Sequence, residues 1–119
     1  MRIETKGLLM LGLLALLSGC AHDPAPLEQL RLSEQALQQA YDTGVPATAR
    51  ALQSAEQKLA RARKNMAEED FKRARVLAEQ AELDARLAQA QQLSAQSEAE
   101  LDVLLLQLQR LRKQLCEVN

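Results

Sequence analysis

Apolar residues recur at steps of three and four along most of the chain after residue 26, the spacing that places side chains on one face of a helix. The pattern predicts three helices, at about residues 27–43, 46–65 and 70–116. We therefore expect an all-α fold. Its form would be an elongated antiparallel helical hairpin, or a three-helix coiled-coil-like arrangement, with a long C-terminal helix.

Each predicted helix carries one apolar seam. The seam of the first helix holds Leu27, Leu30, Leu37 and Tyr41, and that of the second holds Leu52, Ala55, Leu59, Ala62 and Met66. The first half of the third helix offers Phe71, Ala74, Ala78, Ala81, Ala85 and Ala88. We expect this alanine face to pack against the second helix, because the distance between helix axes follows the size of the side chains at the contact.

Two breaks separate the predicted helices. At the first, Gly44 can adopt the left-handed conformation that ends a helix, and Pro46 suits the first turn of the next. The second break, at residues 65–70, contains neither Gly nor Pro. Asn65 is a candidate left-handed cap there, and Asp70 a candidate N-cap.

Charge supports the second break. Cations favour a helix C-terminus and carboxylates an N-terminus, and here Arg61, Arg63 and Lys64 precede Glu68, Glu69 and Asp70. One continuous helix through this point is the alternative.

A second apolar stripe begins where the alanine face ends. It consists of Leu101, Leu104, Leu108, Leu111, Leu115 and Val118, and is widened by Val103, Leu105 and Leu106. In a symmetric hairpin the second helix does not reach it. Either the first helix covers this stripe or another chain does, which makes it a candidate interaction surface.

The N-terminus has the order of an export signal. Arg2 and Lys6 precede an apolar run, residues 8–17, whose ten residues are about half the length that spans a bilayer. The run ends in Leu17-Ser18-Gly19-Cys20, which resembles the lipobox of bacterial lipoprotein precursors at all four positions. The alternative is an ordinary secretory signal with an incidental cysteine.

The lipobox resemblance implies cleavage between Gly19 and Cys20, a thioether-linked diacylglycerol on Cys20 and acylation of its new amine. Several acyl chains hold a protein stably in a membrane, whereas one chain holds it marginally. The expected organisation is a signal peptide at 1–19, a lipidated tether at 20–26 and a helical domain at 27–119. Ala21 replaces the aspartate that resembles an inner-membrane retention signal, so we expect the outer membrane, facing the periplasm, in preference to the inner membrane.

Composition and charge limit the kinds of binding site that the chain is expected to form. Aromatic residues make up 2% of the chain and the formal net charge is −1, so neither a basic face nor stacking platforms for nucleic acid are expected. The cluster of Arg61, Arg63 and Lys64 is interpreted as a helix C-terminus rather than an anion site. His22 is the single histidine, so no metal site is expected. Cys116 is left over once Cys20 is lipidated, either buried or simply tolerated near a frayed helix end, or available for an intermolecular disulfide.

The helical body resembles the bacterial family known as domain of unknown function 4398. The residues that carry the resemblance are Ala36 and Ala40 before a glycine-containing loop, Pro46, the spaced Leu52, Ala55, Leu59 and Ala62, and the run from Asp70-Phe71 through Ala74, Leu77, Ala78, Ala81, Asp84, Ala85, Leu87 and Ala88. The family's usual glycine before the Asp-aromatic pair is Glu69 here. Members are typically lipoproteins or exported proteins of Gram-negative envelopes, and the resemblance implies no catalytic residues.

No enzyme is expected, because the chain lacks a glycine-rich loop and a nucleophile elbow, and the carboxylates of Glu79, Glu82 and Asp84 sit at solvent-facing helical spacing. The leading hypothesis is a non-enzymatic outer-membrane lipoprotein, without a cofactor or small-molecule substrate, whose helical hairpin acts as a structural or protein-interaction module in the cell envelope. One alternative is a module that binds peptidoglycan or another envelope ligand. The other is a self-assembling coiled-coil spacer.

Overall fold

The structure, a computed structural model, describes residues 23–117 and contains three helices in that range. They are α1 (Leu27–Asp42), α2 (Arg50–Ala67) and α3 (Phe71–Glu117). The prediction of an elongated all-α fold with a long C-terminal helix is confirmed. Cys20, the lipobox, His22 and Val118 lie outside the described residues.

The long helix α3 is the central element of the fold, and the other two helices lie along its first half. The turn at residues 68–70 reverses the chain, so α2 runs antiparallel to α3. Helix α1 runs parallel to α3: Gln29 near its start donates a hydrogen bond to Glu82 at 2.6 Å, and Thr43 after its end accepts one from Gln89 at 3.1 Å. The N-terminal end of the body therefore lies beside the start of α3.

Small side chains form most of the core. The buried residues of α3 are the alanines predicted from its spacing, Ala74, Ala78, Ala81, Ala85 and Ala88, and α2 buries Leu52, Ala55, Leu59 and Ala62. Leu52 is completely buried and is the largest such side chain in the described chain. The alanine face of α3 thus packs as predicted, with close helix contact taking the place of large side chains.

The predicted seam of α1 is wrong in part. Helix α1 buries Ser33, Ala36 and Ala40, while Leu30 and Leu37 lie at the margin, and Leu27 and Tyr41 are 67% and 41% exposed. Because α1 packs against an alanine face, its own small residues come nearest to α3. The buried Ser33 hydroxyl donates to the Leu30 carbonyl at 2.7 Å, which satisfies it within the helix.

The connection after α1 is a Schellman motif. Gly44 has φ +82°, its N–H bonds the Tyr41 carbonyl at 2.9 Å, and the Val45 N–H bonds the Ala40 carbonyl at 3.2 Å. The predicted start of α2 at Pro46 is wrong. A turn closed by the Ala49 N–H on the Pro46 carbonyl at 2.9 Å precedes the helix, which begins at Arg50.

The connection between α2 and α3 is a second Schellman motif, so the alternative of one continuous helix is excluded. The Glu69 N–H bonds the Met66 carbonyl at 3.2 Å, and the Asp70 N–H bonds the Asn65 carbonyl at 2.9 Å. The left-handed residue is Glu69, with φ +60°, and not Asn65, which stays helical. Asp70 does cap α3, because its Oδ1 accepts the Arg73 N–H at 3.2 Å.

Candidate interaction surface on the third helix

The second half of α3 leaves the bundle and continues alone. Gln92 is the last residue of α3 that is partly buried, and residues 93–117 are exposed throughout. The final link to the bundle is a hydrogen bond from Gln96 Nε2 to the Thr43 carbonyl at 3.4 Å. At 1.5 Å per residue, the projecting segment (residues 93–117) extends about 37 Å. Most helical stability in proteins comes from packing of an apolar face, and this segment has no such packing within the described residues.

The predicted leucine stripe lies wholly on this projecting segment. Its described members are between 53% and 72% exposed: Leu101, Leu104, Leu108, Leu111 and Leu115. Val103, Leu105 and Leu106 are also more than half exposed. Helix α1 ends at Asp42, near the level of Gln89, so it does not fold back over the stripe. Of the two arrangements left open by the sequence, internal covering is excluded within the described residues.

The stripe lies on the opposite side of α3 from the bundle. Continuing the buried alanine seam in alternating steps of three and four leads to Ala95, Ala99, Asp102 and Leu106, and not to the stripe leucines. The stripe instead continues an outward face of the bundled half that sequence reasoning missed, formed by Val76, Leu83 and Leu87. Extending the leucine spacing upstream by whole heptads would have revealed this face. Helix α3 therefore has two seams, one used by the bundle and one exposed.

Charge is distributed unevenly along the projecting segment. Three carboxylates lie around the first leucine of the stripe, at Glu98, Glu100 and Asp102, and three cations follow the centre of the stripe, at Arg110, Arg112 and Lys113. All six residues are exposed. Glu117 adds one carboxylate at the C-terminal end, so the segment has an acidic half and a half of net positive charge, separated by its most apolar stretch.

Carboxylates of the bundled half join the helices to one another. Asp84 accepts hydrogen bonds from Lys58 and from Ser54 of α2, each at 2.6 Å. Burial opposes ionisation of Asp84, but these two donors outweigh it and lower the pKa of its carboxyl below the usual value. Glu82 accepts from Gln29 of α1 and pairs with Arg86 at 2.5 Å. The interpretation of Glu82 and Asp84 as merely solvated is therefore wrong, whereas Glu79 is exposed.

The cations before the α2–α3 turn are divided among separate partners. Arg63 pairs with Glu34 of α1 at 2.8 Å, and Lys64 with Glu68 at 3.8 Å. Arg61 lines an open surface depression of about 540 Å³ together with Lys72, Arg73 and Asp70. The cluster therefore does not converge on one point, and two of its three cations serve helix packing or the helix end.

Two further candidate groups have simple environments. The Cys116 thiol is free and exposed near the end of α3. Among residues 23–117, no three His, Cys, Asp or Glu side chains come together as metal ligands. A search of the described helices for a stretch long and apolar enough to cross a bilayer finds none.

Comparison with known proteins gives a family and a solved relative. The model of the family described as "Domain of unknown function (DUF4398)" matches residues 28–104. The chain is also similar to the crystal structure of a DUF4398 family protein from Pseudomonas aeruginosa PAO1, with 51% sequence identity and a TM-score of 0.78 over 81% of this chain and 100% of that one. No curated protein matches the sequence. The chain belongs to the DUF4398 family.

Proposed function

We propose that this chain is a non-enzymatic lipoprotein, anchored through Cys20 in the outer membrane and facing the periplasm, that presents the leucine stripe to a protein partner in the cell envelope. The lipobox-like Leu17-Ser18-Gly19-Cys20 supports the anchor. The exposed stripe supports the protein contact, because contiguous exposed apolar surface marks interaction sites.

The observation that carries this proposal is that the chain enters the bundle at one end and the leucine stripe lies at the other. The guanidinium of Arg75 donates to the Pro24 carbonyl at 3.4 Å, so the chain enters the body beside the start of α3. From the level of Arg75, Leu101 lies about 39 Å and Leu115 about 60 Å further along the helix. An anchor at Cys20 would therefore be at one end of the rod, and the leucine stripe would be near the other end.

The anchor is tested in cells by feeding a labelled palmitate analogue and separating inner from outer membranes. Label is expected on the wild-type chain in the outer-membrane fraction, and the variant Cys20→Ser should lose it. The control is Cys116→Ser, which should keep the label. An unlabelled wild-type chain would contradict the proposed anchor.

The contact is tested by placing a photoreactive residue at Leu104 in intact cells, with Leu83 as the matched control. Both leucines lie on the outward face of α3 and are more than half exposed, but only Leu104 is on the projecting segment. A discrete adduct at Leu104 that is absent at Leu83 is expected. Adducts at neither position, combined with retention of the purified body on peptidoglycan free of other proteins, would favour the alternative of an envelope-ligand module.

A further inference from the structure

We propose that the partner of the leucine stripe is a second copy of this chain, paired antiparallel through the projecting segments of both copies and centred on Leu106. The inference rests on the proposed role of the stripe as a protein contact and names its occupant. It is carried by the charge order of the segment and by the position of the stripe relative to the bundle.

The charge order favours an antiparallel pair. With Leu106 at the centre, the acidic residues Glu98, Glu100 and Asp102 of each copy lie along the basic residues Arg110, Arg112 and Lys113 of the other. Glu98 and Arg112 lie on the same flank of the stripe, so each Glu98 is placed beside the second copy's Arg112. In a parallel pair in register, the acidic residues of one copy would lie beside the acidic residues of the other, and the basic residues beside the basic residues. Like charges repel, so the parallel pair is disfavoured.

The leucine spacing fits the same centre. Pairing about Leu106 places Leu101 opposite the second copy's Leu111, and Leu104 opposite the second copy's Leu108, so two leucine layers repeat on each side of the centre. A pairing shifted one heptad toward the C-terminus also forms leucine layers. It moves the acidic cluster past the end of the opposite basic cluster, however, so charge selects between the two registers.

The bundle leaves this surface accessible. The alanine seam that packs on α1 and α2 faces away from the leucine stripe, so a second helix can lie along the stripe without meeting either of those helices. The two bodies would extend in opposite directions from the overlap. Their N-terminal ends, each at the level of Arg75, would then be about 90 Å apart, and the pair would be a rod with an anchoring end at each extremity.

The first test is the oligomeric mass of the helical body, residues 23–119 with Cys116→Ser, by light scattering and sedimentation across concentration. This body suffices for the experiment, since it contains all three described helices and every buried residue of the described chain, from Pro26 to Ala88. A reversible dimer is expected. Leu108→Glu should raise its Kd by about a hundredfold or more, because each copy would bury an unpaired carboxylate.

The matched control is Leu83→Glu, which changes an equally accessible leucine of the same helix face. It should leave the dimer intact, because the antiparallel overlap ends before this residue. Dissociation by Leu83→Glu would indicate a parallel pair along the whole outward face and would overturn the proposal. Circular dichroism of each variant confirms that the bundle remains folded.

Charge reversal tests the direction of pairing. The triple variant Glu98→Lys, Glu100→Lys, Asp102→Lys should raise the dimer Kd by about tenfold at low salt, as should Arg110→Glu, Arg112→Glu, Lys113→Glu. All six changes together should restore the wild-type Kd, since the complementary order is then inverted but intact. Triple variants that leave the Kd unchanged would exclude the antiparallel pair.

Cross-linking fixes the register. In the Cys116→Ser background, chains carrying Leu101→Cys should form a disulfide with chains carrying Leu111→Cys, and neither variant should do so alone, because like cysteines would be about 15 Å apart. Self-cross-linking of Leu101→Cys would mean a parallel pair. A body that is monomeric at every concentration would overturn the inference but not the proposed function, which would survive if Leu104 still gives an adduct of a different protein in cells.

Discussion

The two halves of α3 use the same helix in opposite ways. The first half buries alanines such as Ala78 and Ala81 against two neighbouring helices and leaves Leu83 and Leu87 facing solvent. The second half has no neighbour within the described chain and carries a dense leucine stripe. Large apolar side chains release the most free energy when buried. Their concentration on the unaccompanied half supports the proposal of a partner for the stripe, whereas the bundle relies on close packing of small side chains.

The largest contrast between the halves should come from shortening a leucine. Leu52→Ala removes the largest fully buried side chain and should lower the free energy of unfolding by about 2–5 kcal/mol, through lost burial and a residual cavity. Leu108→Ala, measured at a concentration where the body is monomeric, should change it by less than about 0.5 kcal/mol. Urea denaturation followed by circular dichroism measures both. Equal losses would mean that Leu108 is covered within the monomer.

Enlarging an alanine should sharpen the same contrast. Ala81→Leu forces extra volume into the seam between α3 and its neighbours and should destabilise the body by about 1–3 kcal/mol. Ala99→Leu places the same change further along the seam, where no helix packs, and should be neutral within about 0.5 kcal/mol. Thermal unfolding of both variants distinguishes them. If Ala81→Leu left the stability unchanged, the seam would have room for a larger side chain, contrary to the packing seen in the structure.

Removing the charge of Asp84 should weaken the joint between α2 and α3. Asp84→Asn loses the ion pair with Lys58 and part of the hydrogen bonding with Ser54, at a cost of about 1 kcal/mol near neutral pH. Glu79→Gln, at an exposed carboxylate of the same helix, is the control and should have no measurable effect.

The contribution of Asp84 should also depend on pH with a definite sign. Because its pKa is lower in the folded state, its stabilisation is fully present above the unfolded value near 4 and is lost as pH falls through the lower folded value. Wild type should therefore lose more stability than Asp84→Asn below about pH 4. If wild type and Asp84→Asn lost the same stability as the pH falls, the Asp84 carboxylate would not be stabilised by its partners.

The smallest expected effect concerns the two Schellman turns that hold the bundled half together. Glu69 adopts φ +60°, a conformation that costs a residue with a Cβ but not glycine, so Glu69→Gly should stabilise the body by about 0.5–1 kcal/mol. Gly44→Ala should destabilise it by a similar amount, because φ is +82° there and no neighbour would clash with the new methyl group. Opposite shifts in the melting temperature are expected, and shifts of the same sign would exclude backbone strain as the cause.

Several features of the bundle followed directly from local pattern. The alternating steps of three and four identified the buried residues of α2 and α3, because a helix presents such positions on one face whatever its neighbours are. Gly44 and Asp70 marked helix ends, since their roles depend on the local backbone and on side-chain hydrogen bonding. The family's usual glycine at position 69 was a signal for the left-handed residue of this turn, but the sequence reasoning assigned that conformation to Asn65.

Other features depended on contacts between distant residues. The buried seam of α1 could not be identified from hydrophobicity alone, because packing against alanines favours Ser33, Ala36 and Ala40 over Leu27 and Tyr41. The role of Asp84 in joining α2 and α3 could not be predicted from the sequence, because its partners Ser54 and Lys58 come from another helix.

The sequence by itself determined three helices, the seams of α2 and α3 and a leucine stripe, because helical periodicity and end signals are local properties. Only the tertiary structure decided that α1 stops short of that stripe and that the stripe faces away from the bundle. Both facts depend on which half and which face of α3 the other helices pack against, and this follows from contacts between small side chains of separate helices and not from any single segment. The short helices pack on the alanine seam of one half of α3, and the leucines of the other half remain exposed.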